Sequence, residues 1–294
     1  MNHNPLVSVI VITYNSSKYV LETLESAKAQ TYKNIELIIS DDGSKDDTVN
    51  ICRNWLKENE GRFIYSDLIT VEANTGIPAN CNRGVKASKG EWIKLIAGDD
   101  VLKNDCIDIN LEYLQVNKQV EILQTQSMVF LNNFRSDKII SIIPHQHRFF
   151  ESDPATQNKI LQEKNYVIAP SVIISRELYD RIEGFDERFK LFEDITFWLN
   201  ATKSGARFHL LDKPTVYYRK HNDTSEKASK PYIRKQYAKE LLKFRKEYND
   251  KVSFLKKFKY QLRLRLLILL DEIGLNHHNF VSNFLYKFIN KFLR

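Results

Sequence analysis

Ile35-Glu36-Leu37-Ile38-Ile39-Ser40-Asp41-Asp42-Gly43-Ser44 is the stretch that decides the fold. A nearly continuous apolar run ends abruptly in two carboxylates, a glycine and a serine. Strands buried on both faces of a parallel sheet read as such runs. Open α/β sheets bind their ligands beyond the carboxyl ends of those strands. Further along, Trp92-Ile93-Lys94-Leu95-Ile96-Ala97-Gly98-Asp99-Asp100 repeats the design. Carboxylates in these positions suit the edge of a nucleotide and a divalent metal ion.

Working outward, Leu6–Thr13 is a β-branched run and reads as the first strand. Asn15-Ser16-Ser17 supplies turn and cap chemistry for a helix over Lys18–Gln30. Ile35–Ser40 is the second strand. Ser44-Lys45-Asp46-Asp47 opens a helix reaching Glu58, with Asp46 and Asp47 favourable at its positive end. A short third strand is expected at Ile69–Glu72, then a turn at Asn74–Pro78, a helix ending near Gly90 and a fourth strand at Glu91–Ala97. This alternation implies parallel βαβ units with right-handed crossovers. Beyond it, helices are expected over Lys103–Asn117, Asp153–Gln162, Arg176–Arg181 and Phe192–Lys203. Strands are expected over Glu121–Leu131, Lys138–Ile143 and Val167–Ser175, and Arg207–Arg219 reads as extended.

A chain of 294 residues accommodates one large domain, or one domain with an appendage. Cys52, Cys81 and Cys106 are odd in number and form no CxxC pair, which fits a reducing cytosol better than a disulfide framework. Met1-Asn2-His3-Asn4-Pro5 lacks the basic start of a signal peptide. The longest uncharged apolar run, Leu266–Leu270, is far short of the roughly 20 residues a membrane span needs. A soluble or peripheral cytoplasmic protein is expected.

The net charge of +7 is unevenly distributed. Residues 227–294 carry 17 Lys and Arg against 5 Asp and Glu, while the remainder is mildly acidic. Phe280, Phe284, Phe288 and Phe292 recur every four residues in that tail, beside Val281, Leu285, Ile289 and Leu293. The result is a wide apolar helical stripe. Such a tail suits an anionic surface, here the inner face of the cytoplasmic membrane. The alternative is that the stripe packs on the catalytic domain or a partner subunit.

Val7-Ser8-Val9-Ile10-Val11-Ile12-Thr13-Tyr14-Asn15, Asp41-Asp42-Gly43-Ser44, Gly98-Asp99-Asp100 and Glu193-Asp194, taken in order, resemble family 2 glycosyltransferases of the GT-A fold. The resemblance covers residues 5–225. It implies an α/β fold, a mixed sheet flanked by helices, as the catalytic domain over 1–225, followed by a basic amphipathic helical region over 226–294. It further implies a metal-dependent, inverting transfer of a sugar from a nucleotide-diphosphate donor, UDP being favoured by the Asp-Asp-Gly-Ser arrangement. The acceptor is expected to be a glycan or lipid-linked molecule of a surface polysaccharide such as lipopolysaccharide or capsule.

The same resemblance assigns Thr13, Asn15, Asp41, Asp42 and Asp99 to the nucleotide, leaving open which of Asp41 and Asp42 faces the base. Asp99 becomes a ligand of Mn²⁺ or Mg²⁺, with His221 as a second. Asp100, Asn82 and Glu193 become contacts of the donor sugar or acceptor, Asn82 being equally suited to helix packing. Asp194 becomes the base that takes the acceptor hydroxyl proton. Two positions depart from the family pattern: Ala97 stands where the metal motif usually begins, and Cys81 where an arginine is usual.

Those departures keep open a catalytically inactive, sugar-nucleotide-binding homologue. A basic nucleic-acid-binding protein would explain the tail but not the five aspartates, so no nucleic-acid partner is expected. A homo-oligomer remains open. No GxGxxG follows the first strand, which disfavours a dinucleotide oxidoreductase.

Overall fold

The computed structural model describes residues 4–132, 134, 139–145, 147–221, 235–248, 253–275, 285, 287 and 289. The chain divides into two compact units, residues 1–161 with 165–221, and residues 162–164 with 222–294.

The first unit opens with alternating elements: β1 (Val7–Thr13), α1 (Val20–Lys28), β2 (Ile35–Asp41), α2 (Thr48–Glu58), β3 (Tyr65–Thr70), α3 (Ile77–Ala87) and β4 (Trp92–Ala97). It continues through β5 (Val101–Leu102), α4 (Cys106–Val116), β6 (Ile122–Leu131), β7 (Ile139–Ile143), α5 (Arg148–Glu151) and α6 (Pro154–Leu161). A 3₁₀ turn (Ala169–Ser171) then leads into β8 (Val172–Ser175), α7 (Arg176–Arg181), α8 (Glu193–Lys203) and β9 (Phe208–Lys220).

The sheet order is β3-β2-β1-β4-β8-β6-β9-β5, with β7 on the outer part of β6. β1 to β4 pair in parallel, while β8 runs antiparallel to both β4 and β6. The expected parallel half is therefore present, extended by a mixed half. Every residue of β2 is buried. The alternate residues Val7, Val9 and Val11 pack with Ile35, Leu37 and Ile39 in one core. Helix α3 presses on β1 at Gly84, where a Cβ would meet Ile10 Cγ2 at 2.5 Å.

Register brings the functional ends together. Thr13 lies opposite Asp41, and Ile12 opposite Ala97, so three strands finish at one edge. Val101 pairs with Tyr217 and Leu102 with Val216. That short antiparallel ladder carries the end of β9 past the loop that holds Asp99 and Asp100.

Two expectations need correction. The third strand is Tyr65–Thr70 rather than Ile69–Glu72. It is an edge strand with no fully buried residue, so it needs no apolar run. The strand expected at Val167–Ser175 begins only at Val172, because Ala169–Ser171 coils into the 3₁₀ turn.

The second unit contains α9 (Lys235–Tyr248) and α10 (Phe254–Glu272). Leu267, Leu270 and Ile289 form its small core, with Leu266, Leu275 and Leu285 packed against it. Two members of the expected apolar stripe, Leu285 and Ile289, thus pack on protein. Phe280, Val281, Phe284, Phe288, Phe292 and Leu293 lie outside the described residues. Among the described residues no helix is long and apolar enough to cross a membrane.

Candidate active site

The ends of β1 and β2 form a closed polar network. Asp41 is fully buried and its carboxylate is saturated. Oδ2 accepts from the hydroxyls of Thr13 (2.8 Å) and Ser44 (2.6 Å), and Oδ1 from the N–H groups of Gly43 (3.1 Å) and Ser44 (2.8 Å). Gly43 has φ +78°, and a Cβ there would lie 2.9 Å from the Ala73 carbonyl carbon. A residue with a side chain at that position would break the turn.

Asp42 is equally engaged. It accepts from the Thr75 N–H and hydroxyl, the Gly76 N–H (2.9 Å) and the Arg83 guanidinium (3.2 Å). Burial pushes its carboxyl up, but these hydrogen bonds outweigh it and hold the pKa below the ordinary value. Asn15 adopts φ +50°. Its N–H donates to Ser44 Oγ and its Oδ1 accepts from the Lys45 N–H, both at 2.8 Å. Thr13, Asn15, Asp41 and Asp42 therefore share one rim, and each already uses its side chain to build it.

Asn82 does not belong to that rim. Its Nδ2 donates to the Phe185 carbonyl and Glu187, while its Oδ1 accepts from Tyr179 and the Phe185 N–H. With its amide fully used and 5% exposed, it braces the 184–187 turn and offers nothing to a sugar. The expectation of sugar contact gives way to the packing alternative. Arg83 lies on Asp42, Thr75 and Asn80.

The loop after β4 forms the opposite side of the site. Asp99 is partly exposed, and its Oδ2 lies 2.8 Å from His221 Nε2. Asp100 is 3% exposed and accepts from the Arg219 N–H at 2.8 Å. Burial, reinforced by the charge of Asp99, pushes its pKa up to about 8. Arg219 is buried beneath this loop. It donates to the Asp99 carbonyl (2.8 Å), the Asn132 carbonyl and Glu22 (2.7 Å), and it stacks on Tyr19 and Phe134. Arg219, marked by the sequence only as the end of an extended stretch, is the cation that supports both aspartates from below.

Asp194 completes the constellation from the first turn of α8. Its Oδ2 accepts from Asn165 Nδ2 at 2.8 Å. Burial raises its pKa, only partly offset by hydrogen bonds from the Ile195 N–H and Asn165. The Tyr218 hydroxyl is pushed up by burial and by the charges of Asp100, Asp99 and Asp194, so all three carboxylates bear on one point. Asp99, Asp100, Glu193, Asp194 and His221 line one cavity of about 340 Å³. Ala97 and Cys81, the two departures from the family pattern, line the same cavity and make part of its wall apolar. Asn165 lies outside every sequence motif and was not foreseen.

Among the described residues, no three His, Cys, Asp or Glu side chains converge as a metal cage. Asp99 and His221 supply two adjacent donors. One carboxylate oxygen and one imidazole nitrogen would suit a divalent ion that takes its remaining ligands from elsewhere.

A mixed sheet with carboxylates gathered at its parallel strand ends, facing the first turn of a later helix, defines a glycosyltransferase of the GT-A class. The chain belongs to the glycosyl transferase family 2, whose model matches residues 8–183. It is similar to TuaG of Bacillus subtilis, a glycosyltransferase named for teichuronic acid biosynthesis. The two are 26% identical over 223 residues, covering 76% of this chain and 82% of TuaG. The fold matches that of S. aureus TarS 1–349 in complex with UDP, with TM-score 0.59 and 21% identity, covering 88% of this chain and 70% of that one. It also matches the mannosyltransferase PcManGT of Pyrobaculum calidifontis in complex with GDP-Man and Mn²⁺, with TM-score 0.60 and 16% identity, covering 93% and 75%.

Proposed function

We propose that this glycosyltransferase transfers a sugar, with inversion, from a UDP-linked donor to a glycan or lipid-linked acceptor of a cell-surface polysaccharide. The observation that carries the proposal is the shared cavity of Asp99, Asp194 and His221. It brings a candidate base and a candidate diphosphate site to one small volume. TuaG's name supports the polysaccharide setting, and the UDP bound to TarS supports the donor class.

Thr13, Asn15, Asp41 and Asp42 form the nucleotide rim in this reading. Asp41 acts by holding the 43–44 turn. Asp42 meets the nucleotide by exchanging its longest partner, Arg83 at 3.2 Å, for the ligand. Asp99 and His221 would hold Mn²⁺ or Mg²⁺, which when bound would neutralise charge on the departing diphosphate. Asp194 accepts the acceptor hydroxyl proton while that oxygen bonds to the anomeric carbon. The bond from that carbon to the diphosphate oxygen breaks with its electron pair, and UDP leaves. Glu193 and Asp100 flank the sugar and acceptor.

The test is donor turnover, with water accepting the sugar, by wild type and Asp194→Asn across UDP-, GDP- and CMP-sugars. Turnover of a UDP-sugar that the variant loses while still binding UDP supports the reading. UDP binding without turnover by wild type would favour the inactive homologue.

A second reading concerns the unit that holds α9 and α10. Phe254, Leu255, Phe258 and Leu269 are 83, 64, 54 and 50% exposed and occupy about 100° of arc on α10. Leu264, Leu267 and Leu270 point the other way and are buried. An exposed apolar face on a strongly basic segment suits peripheral binding to an anionic leaflet. Vesicles of phosphatidylglycerol should retain the protein at low salt and lose the Phe254→Ser/Phe258→Ser variant. Equal retention of both would remove this reading.

A further inference from the structure

Lys94 sits in the middle of β4 and is fully buried. Among the described residues no carboxylate pairs with it. Its Nζ donates instead to two main-chain carbonyls, Pro170 at 2.8 Å and Val172 at 3.2 Å. The charge of Asp100 bears on it without forming an ion pair. Burying a cation with no directly bonded carboxylate is costly, and an apolar side chain would fill a strand interior at no such cost. The neighbours on the strand, Ile93 and Ile96, are indeed apolar and buried.

The two carbonyls flank Ser171, at the junction of the 3₁₀ turn and β8. The Ser171 carbonyl between them accepts from Thr125 Oγ1 at 3.1 Å. Three consecutive carbonyls are therefore fixed from the sheet. At the other end of this segment lies Asn165. Its Oδ1 accepts from the Val167 N–H at 2.9 Å, which sets the plane of its amide. Its Nδ2 then donates to Asp194 at 2.8 Å. Ala169 and Pro170 line the cavity that Asp194 also lines.

We propose that Lys94 is a positioning residue: by fixing the Pro170 and Val172 carbonyls it sets the 165–172 segment, and so holds Asn165 against Asp194. The inference rests on Asp194 being the base. Lys94 touches no substrate in this account. It acts through the backbone, and its signature is a loss of turnover without a loss of donor binding.

The experiment compares wild type, Lys94→Met, Lys94→Gln, Asn165→Ala and the Lys94→Met/Asn165→Ala double variant in UDP-sugar hydrolysis with Mn²⁺. In hydrolysis, water gives its proton to Asp194 and its oxygen to the anomeric carbon as UDP departs. Displacing a base by about 1 Å lowers kcat on the order of 100-fold. A drop of about 10- to 100-fold is therefore expected in Lys94→Met and in Asn165→Ala, with donor KM within about twofold of wild type. The double variant should be no slower than the slower single variant, because both act on one contact. Lys94→Gln, which keeps N–H donors on a shorter arm, should recover part of the loss. Multiplying effects in the double variant, or a normal kcat in Lys94→Met, would overturn the role. If Lys94→Met does not fold, Lys94→Gln and its double variant with Asn165→Ala carry the same comparison.

A readout without turnover separates this inference from the proposed activity. The Asp194 carboxyl accepts from Asn165 and the Ile195 N–H, its charge bears on Tyr218 from β9, and Glu193 precedes it in the chain. A ¹³C NMR titration of that carboxyl should move upward in Lys94→Met and Lys94→Gln, as in Asn165→Ala, since a donor to the ionised form is lost. An unmoved titration would overturn the role even if no sugar nucleotide is hydrolysed. Wild type that hydrolyses no donor would defeat the proposed activity alone.

Discussion

The two sides of the cleft treat their carboxylates in opposite ways. At the ends of β1 and β2, Asp41 and Asp42 are surrounded by donors, and Asp42 is held below the ordinary carboxylate range. At the end of β4 and the start of α8, Asp100 is buried and Asp194 half-buried, both among few donors, and burial pushes both up. One side is a finished scaffold whose charges are already spent. The other keeps carboxylates whose protonation can change. The first region is therefore expected to frame the nucleotide's base and ribose, and the second to take the diphosphate, its metal and the proton transfer.

The largest effect should come from the second region. Asp194→Asn should lower turnover by about 10³-fold, the scale of general base catalysis, while the UDP dissociation constant stays within about threefold. The acid limb of the wild-type kcat profile should lie above the usual aspartate range, because burial raises the Asp194 pKa and the base must be ionised. A limb at an ordinary aspartate value would break the contrast.

Asp99→Ala should weaken metal-dependent donor binding on the order of 100-fold, equivalent to about 2.7 kcal/mol of lost charge neutralisation. His221→Ala should weaken it less, because the imidazole adds no negative charge. Calorimetric titration of UDP with and without Mn²⁺ measures both. In the first region, Asp41→Ala should act chiefly on stability. It strands the Gly43 and Ser44 N–H groups and two hydroxyls, costing about 3 kcal/mol by thermal or urea unfolding. Lost UDP binding with unchanged stability would mean that Asp41 meets the nucleotide itself and does not merely hold the 43–44 turn.

A further contrast concerns pH. Folding raises the Asp100 pKa to about 8, so the folded state keeps a proton that the unfolded state releases near pH 4. Stability from this group is full below about pH 4 and declines as pH rises towards about 8. Asp100→Asn removes the decline and retains an oxygen for the Arg219 N–H. Without metal, its Tm advantage over wild type should be larger near pH 8.5 than near pH 4.5. An advantage independent of pH would contradict the burial argument.

The same division explains what could be read in the sequence. β1, β2 and β4 were legible because both faces of each strand are covered, which forces continuous apolar runs. β3 was misplaced because an edge strand such as Tyr65-Ser66-Asp67-Leu68 carries no such constraint. Asp99 and Asp194 were legible through the family resemblance, whose motifs fall one after a strand and one at a helix start. Asn165 did not, since its contact with Asp194 arises only when two distant segments fold together. The saturation of Asn82 was equally invisible, because its partners Tyr179, Phe185 and Glu187 lie far along the chain. Sequence marks groups at the ends of regular elements; the loops that orient them are legible only in the fold.

The most direct test of the division between binding and chemistry is UDP-sugar turnover and UDP affinity measured side by side on wild type and Asp194→Asn. The account predicts turnover by wild type alone and equal UDP affinity in both. Undiminished turnover by the variant, or UDP binding lost together with turnover, would contradict it.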